Sequence, residues 1–242
     1  MRWLVSLSIL SGCTCAAPRT ELPAYTAPRA PAIALDGRLD EWDGVPETEV
    51  FVNTMDGTPG SPAPVRARMA WDERGLYVAA SIPDTHLVAA HDERDDHLWE
   101  EDCFELMLDR DAPEGEGLGE GYVELQISPR NVVFDTWFDG YRAPPPLGHV
   151  GWSSGLESAV ALRGTCGDEL PDEGYDVELR IPWTALAVGE NPDAPPAAGE
   201  TIRVALYVLD AQPAGQLAVA WSPPLVGDFH VAPRMGRVVL GE

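Results

Sequence analysis

The stretch Val65-Arg66-Ala67-Arg68-Met69-Ala70-Trp71-Asp72-Glu73-Arg74-Gly75-Leu76-Tyr77-Val78-Ala79-Ala80-Ser81-Ile82 decides the fold class. Residues 65–71 alternate apolar with polar, Glu73-Arg74-Gly75 supplies a turn, and 76–82 is a second short apolar run. That is a β-hairpin, because a period of two places alternate side chains on opposite faces of an extended chain. The pattern continues outward. Runs at 103–109, 122–128, 132–138, 155–163, 175–181, 202–209, 217–221 and 237–240 read as further strands, separated by Gly, Pro and Asp clusters. No segment keeps apolar residues at helical spacing beyond about two turns, short of the three-turn helix common in globular proteins. Pro144-Pro145-Pro146, Pro195-Pro196 and Pro223-Pro224 mark loops, since a central strand needs its N–H groups. The expectation is an all-β domain over 32–242, a single antiparallel β-sandwich.

The segment ahead of the domain reads as export and anchoring. Arg2 is a minimal positive start, Trp3 to Leu10 is apolar but too short to span a bilayer, and Leu10-Ser11-Gly12-Cys13 resembles the lipobox of bacterial lipoproteins. Residues 1–12 are thus expected to be a lipoprotein signal peptide, with Cys13 receiving the lipid; the alternative is an ordinary secretory peptide cut nearer residues 15–17. Residues 13–31, with five Ala and four Pro, read as a tether. The expected location is the bacterial cell envelope, outer membrane or cell surface, with membrane contact only through the lipid.

Composition narrows the partner. The chain carries 40 acidic against 16 basic residues, a net charge of −24, and every basic residue is Arg. Lysine chemistry, whether Schiff base or P-loop, is excluded. A nucleic-acid partner is not expected, because neutralising phosphates needs a basic face. With 45 % hydrophobic residues the chain has ample material for a core. What fits an acidic globular domain is a neutral or cationic ligand, or a hard metal ion.

Export places the thiols in an oxidising compartment. Cys103 and Cys166 lie in strand-like segments, and a disulfide between them is one expectation; free thiols are the other, since spacing does not fix their separation. No Cys-x-x-Cys pair exists to support zinc-ribbon or redox chemistry.

Four segments then fall in a recognisable order: Leu35-Asp36-Gly37-Arg38-Leu39-Asp40-Glu41-Trp42; Ala70-Trp71-Asp72 with Gly75-Leu76-Tyr77-Val78 and Asp84; Leu98-Trp99-Glu100-Glu101-Asp102-Cys103-Phe104-Glu105; and Gly174-Tyr175-Asp176-Val177-Glu178 with Ile181-Pro182-Trp183. Trp221-Ser222-Pro223, Phe229-His230 and Met235-Gly236-Arg237 close the chain. In this order the domain resembles the family 9 carbohydrate-binding module, a DOMON-like β-sandwich. The resemblance implies non-catalytic binding of a neutral saccharide or polysaccharide held between two aromatic side chains, in support of polysaccharide capture or degradation by separate glycoside hydrolases. It implies Trp99 as the first aromatic, Glu105 and Gln126 as hydroxyl contacts, and Phe229 as the second aromatic, where xylanase-attached members carry Trp. His230 matches a His recurring near the end of family members, either structural or lining the slot.

The residue types suit this chemistry independently. A sugar presents C–H bonds on one face, which a flat aromatic covers, and a rim of hydroxyls, which carboxylates and amides bind directionally. Strand alternation puts Trp99, Glu101, Cys103, Glu105 and Met107 on one side and Phe104, Leu106 and Leu108 on the other.

Residues 92–116 hold twelve acids and two arginines. Asp92, Asp95, Asp109 and Asp111 are expected as oxygen ligands of a structural calcium, which family members bind; a merely solvated face is the alternative. Nothing isolates the protonated and ionised carboxyl pair a glycosidase needs, and no Gly-x-Ser-x-Gly or His-Glu-x-x-His occurs, so an enzyme is not expected. His86, His91 and His97 are too widely spaced for a zinc site. Two other readings stand beside sugar binding: an envelope interaction protein that keeps the sandwich without the site, and a haem-binding relative using Met107 or Met69 with His149 or His230. No other organic cofactor is expected. Trp42, Trp71, Trp183 and Trp221 are assigned to the core, whereas Trp137 and Trp152 flank a Pro-rich loop.

Overall fold

A computed structural model describes residues 17–62, 64–110 and 121–242. Its strands are β1 (Ala24–Ala27), β2 (Val52–Asn53), β3 (Arg66–Trp71), β4 (Gly75–Ile82), β5 (Cys103–Asp109), β6 (Tyr122–Ile127), β7 (Val133–Phe138), β8 (Glu157–Arg163), β9 (Gly174–Pro182), β10 (Thr201–Gln212), β11 (Gly215–Ala220) and β12 (Gly236–Leu240). They form two sheets. One runs β1-β12-β10-β5-β6-β7, with β11 pairing the far half of β10 and β2 pairing β11; the other runs β3-β4-β9-β8. Every strand pair is antiparallel except β1 with β12. All ten expected strands are present within a few residues of their expected ends.

Alternation builds the core. Phe104, Leu106 and Leu108 of β5 meet Val78 and Ala80 of β4 and Val177 and Leu179 of β9 in one buried cluster between the sheets. Burying each such side chain contributes about 1.5–3 kcal/mol relative to exposure. The other face of the large sheet carries its own, smaller cluster: Cys103, Met107, Tyr207 and Phe134, with Trp99 and Phe229 packed at its margin. A sandwich face that is half apolar and yet carries acids is where the site lies.

Two glycines bracket the central β4–β9 pair. A Cβ on Gly75 would sit 2.2 Å from the Ile181 carbonyl oxygen, and one on Gly174, at φ +115°, would sit 1.9 Å from that of Ile82. Glycine is needed there for close backbone approach and, at Gly174, for its dihedral.

Three expectations change. The tether does not extend to residue 31: β1 belongs to the large sheet in register with β12, and buried Tyr25 donates its hydroxyl to the Pro46 carbonyl at 2.6 Å. Ala24–Ala27 alternates like any strand, but four residues between prolines gave too short a run to read. Cys103 and Cys166 are free thiols. Cys103 points to the outer face of the large sheet, whereas Cys166 packs against the core between the sheets, so the two lie on different sides. Trp99 is not part of the β5 alternation; it belongs to a 3₁₀ turn, Leu98–Glu100, that precedes the strand. Trp42, Trp71, Trp183 and Trp221 are buried, as expected, and Trp137 and Trp152 pack half-buried against the core. Cys13 and Asp111 lie outside the described residues.

Candidate functional site

Most of the recognised motifs turn out to build the frame. Glu178 is fully buried, and its carboxylate accepts hydrogen bonds from Trp42 Nε1 (2.7 Å), Gly37 N (2.8 Å) and Asp36 N (3.2 Å), tying the first motif segment to the fourth. Asp72 accepts from the N–H groups of Arg74 and Gly75 to shape the β3–β4 turn, and its carbonyl receives Trp183 Nε1 at 2.7 Å. A buried polar group without a partner is costly, so each Trp comes with its acceptor.

The site residues lie between those motifs. Trp99, Glu105, Gln126, Phe229 and His230 all line one cavity of about 300 Å³ on the outer face of the large sheet, at the small end for ligand pockets. Strand register explains the convergence: Glu105 on β5 stands directly between Gln126 on β6 and Tyr207 on β10. Trp99 has the His97 ring stacked on one face at 4.4 Å and the edge of Phe134 at 5.2 Å. Phe229 stacks on Tyr207 at 4.2 Å and 8°. Each aromatic of the expected clamp is therefore backed by a second ring.

The floor is polar and buried. Gln126 Nε2 donates to Glu105 Oε2 (3.1 Å) and Glu124 Oε1 (2.8 Å), while Gln126 Oε1 has no partner among the described residues. Burial pushes the Glu105 carboxyl well above the carboxylate range, with the neighbouring Glu124 charge adding to it. Burial likewise pushes Glu124 up to about 7, against the pull of Arg142 and Gln126. Two adjacent buried carboxyls resist ionising together.

His230 is buried, with Nδ1 2.7 Å from the Tyr122 hydroxyl and Nε2 3.6 Å from Glu124 Oε2. Tyr122 Oη also accepts from Arg142 N at 3.2 Å, which ties the ring to the loop after β7. Burial, then Arg142, lowers His230 to about 4, so the ring stays neutral. At the rim, Asp228 accepts from Tyr141 Oη (2.6 Å), Arg142 Nη2 (2.7 Å) and its neighbour His230 N (3.1 Å). Burial raises its pKa, but these bonds outweigh that and hold it down at about 2.

Glu124, Tyr207, Arg142 and Asp228 were missed from sequence. Glu124 was recoverable, since it stands two residues before Gln126 on the same strand face. Arg142 and Asp228 sit in loops, where no period announces them.

The three expected calcium ligands among the described residues do not gather. Asp92 is exposed and Asp95 half-buried in the loop before the 3₁₀ turn, with Asp95 N bonded to Val133 O near the start of β7. Asp109 is buried at the opposite end of β5, in a cavity it shares with Arg110, Arg203 and Arg237. A strand of seven residues separates those places by roughly 20 Å, and arginines repel a cation. A different set converges instead. Carboxylate oxygens of Asp84, Asp102 and Asp210, all buried, lie within 4.8 Å of one another. Asp102 accepts from Val88 N (2.6 Å) and Ala211 N (2.7 Å), and Asp84 from His86 N (2.8 Å). Among the described residues no arginine pairs with any of them. Burial raises all three, Asp102 to about 8. The fully buried Tyr175 hydroxyl, which the charges of all three reach, has no hydrogen-bond partner among the described residues. Three hard oxygen donors with an orphan hydroxyl beside them fit a calcium ion.

The haem alternative does not fit. His230 Nδ1 is bonded to Tyr122 Oη and its Nε2 faces Glu124, His149 Nε2 faces Asp139 at 3.0 Å with its ring stacked on Trp137, and Met69 is sealed in the core.

Known proteins share this fold. Over 209 residues the chain is 25 % identical to endo-1,4-beta-xylanase A of Thermotoga maritima, covering 85 % of this chain and 17 % of that protein. With the exoglucanase XynX of Acetivibrio thermocellus it shares 26 % over 211 residues, 85 % of this chain and 16 % of that one. The chain thus spans about a sixth of the length of these relatives. Among solved structures, a family 9 carbohydrate-binding module of Caldicellulosiruptor kristjanssonii in complex with cellotriose superposes with a TM-score of 0.61 at 18 % identity, covering 90 % of this chain and 93 % of that one. The same organism's module in complex with glucose gives 0.62, again at 18 % identity, covering 90 % and 96 %. The profile of the family described as "Carbohydrate family 9 binding domain-like" matches residues 35–242, and the chain belongs to that family.

Proposed function

We propose that the domain is a non-catalytic module that binds a saccharide in the slot walled by Trp99 and Phe229, with Glu105 and Gln126 bonding its hydroxyls. The observation carrying this reading is that five residues scattered along the chain meet in one cavity that joins aromatic faces to buried hydrogen-bonding groups. Apolar C–H faces suit the rings and hydroxyl donors suit the acceptors. The floor presents carboxyls, and its Arg142 is already paired with Asp228, so acidic polysaccharides are disfavoured. The relatives' glucose and cellotriose complexes, and the xylanases and exoglucanase that contain similar segments, support neutral β-linked glycans as the first ligands to try, with separate glycoside hydrolases as functional partners. Calorimetric titration of residues 20–242 with glucose, cello-oligosaccharides and xylo-oligosaccharides tests it. Saturable heat that Trp99→Ala abolishes supports the slot; absence of heat with every sugar refutes it.

Two further expectations belong to this reading. Cys13 carries a lipid that holds the exported domain at the bacterial cell envelope; labelling by a fatty-acid analogue that Cys13→Ser abolishes would support it, and unchanged labelling would refute it. Asp84, Asp102 and Asp210 hold a structural calcium, with Tyr175 Oη beside it. Bound there, the ion would supply charge neutralisation to a buried acidic corner and pin the β4 exit, the segment before β5 and the end of β10 together.

A further inference from the structure

The slot is rich in acceptors and poor in cations. Gln126 spends both amide protons on Glu105 and Glu124. Gln126 Oε1 then has no partner among the described residues, and the Glu105 bond to Gln126 is made at Oε2. The groups facing the two carboxyls come from every wall: Tyr122 of β6, Cys103 of β5, Tyr207 of β10, Arg142 after β7, and Asp228 with His230 before β12. Of these only Arg142 is a fixed cation, and its guanidinium is committed to Asp228 at 2.7 Å. His230 is neutral and stops 3.6 Å from Glu124.

A neutral sugar fills such a floor with hydroxyl donors but brings no cation that would let the carboxyls ionise, since a buried charge without a partner is costly. A primary ammonium brings three N–H donors and the missing charge in one group. An N-acetyl group in the same place brings one donor and no charge.

We propose that the ligand class this slot prefers is a saccharide bearing a free amine, such as a β-1,4-linked glucosamine chain, with one ammonium seated between Glu105 and Glu124. This rests on the slot being a sugar site. It also accounts for why a carboxyl pair, rather than a carboxyl with an arginine, stands at the floor. Burial raises both carboxyls, so seating an ammonium between them displaces a carboxyl proton to solvent.

Three trimers with the same β-1,4 backbone separate the possibilities: cellotriose, the glucosamine trimer and the N-acetylglucosamine trimer. They are titrated calorimetrically near pH 6.5 in about 0.15 M salt, where attraction to exposed charges beyond about 8 Å is screened. The expected result is binding of the glucosamine trimer at least about tenfold tighter than either other trimer. Repeating the titration in buffers of different ionisation enthalpy should show proton release with the glucosamine trimer and none with cellotriose. In Glu105→Gln/Glu124→Gln, checked for native melting, the ratio of the two affinities should fall toward one; if that variant binds no sugar, the wild-type affinity ratio and proton release decide. Cellotriose binding as tightly as the glucosamine trimer overturns the inference and leaves the sugar site standing. A preference that survives in the double variant also overturns it, pointing to the acidic surface instead. No heat with any trimer refutes the sugar site itself.

Discussion

Trp99 concentrates the binding claim at the residue scale. Its ring is positioned by His97 and Phe134, so truncation removes the stacking surface without opening the core between the sheets. Trp99→Ala should weaken saccharide binding by about 2 kcal/mol, roughly 30-fold, with the melting temperature nearly unchanged; calorimetry beside thermal melting checks both. Glu178 is the opposite case. It lines none of the described cavities, yet its carboxylate takes three N–H groups, two of them buried. Glu178→Gln puts an amide donor against one of them and should cost about 1–3 kcal/mol of stability while leaving sugar affinity intact. Urea unfolding with a parallel titration separates the two readouts.

At the scale of elements, the strands were legible because a half-buried strand must alternate. The central β5 was read to its exact ends, and its outward face delivered Glu105. What stayed hidden sits on turns and loops. Trp99 joins the slot through a 3₁₀ turn rather than through strand alternation, and Arg142 and Asp228 meet only because the β7–β8 and β11–β12 connections pack side by side. The acidic run from 92 to 116 misled for a related reason: abundance of carboxylates in sequence says nothing about which ones converge. Asp102 comes from that run, but its partners Asp84 and Asp210 arrive from the loop after β4 and from β10. If these three hold calcium, the ion should raise the melting temperature by about 5–10 °C at roughly a hundredfold over its dissociation constant. Asp210→Asn should lose most of that rise, whereas Asp92→Asn should keep it. An equal loss in both variants would contradict the assignment.

Across the whole molecule, acidity becomes a stability term. Asp102 and Glu124 have folded-state pKa values raised to about 8 and about 7. A raised carboxyl binds its proton more tightly folded than unfolded, so it stabilises the fold fully below the ordinary carboxyl range. That contribution is lost as pH rises through the folded value. The calcium-free protein should therefore melt at progressively lower temperature between about pH 4 and pH 8, and calcium should flatten the decline. Melting curves in chelator and in calcium across that range are the check; a calcium-free protein that gains stability toward pH 8 would contradict it.

The central claim is that one cavity on the outer face of the large sheet binds saccharide. A ¹H–¹⁵N spectrum recorded while cellotriose is added tests it most directly, because each reporter has a fixed place. The Trp99 indole N–H and the Gln126 side-chain amide should shift together and saturate. The indole N–H groups of Trp42 and Trp183, bonded to Glu178 and to the Asp72 carbonyl within the frame, should stay in place. Shifts confined to those frame signals, or none at all at saturating sugar, would contradict the account.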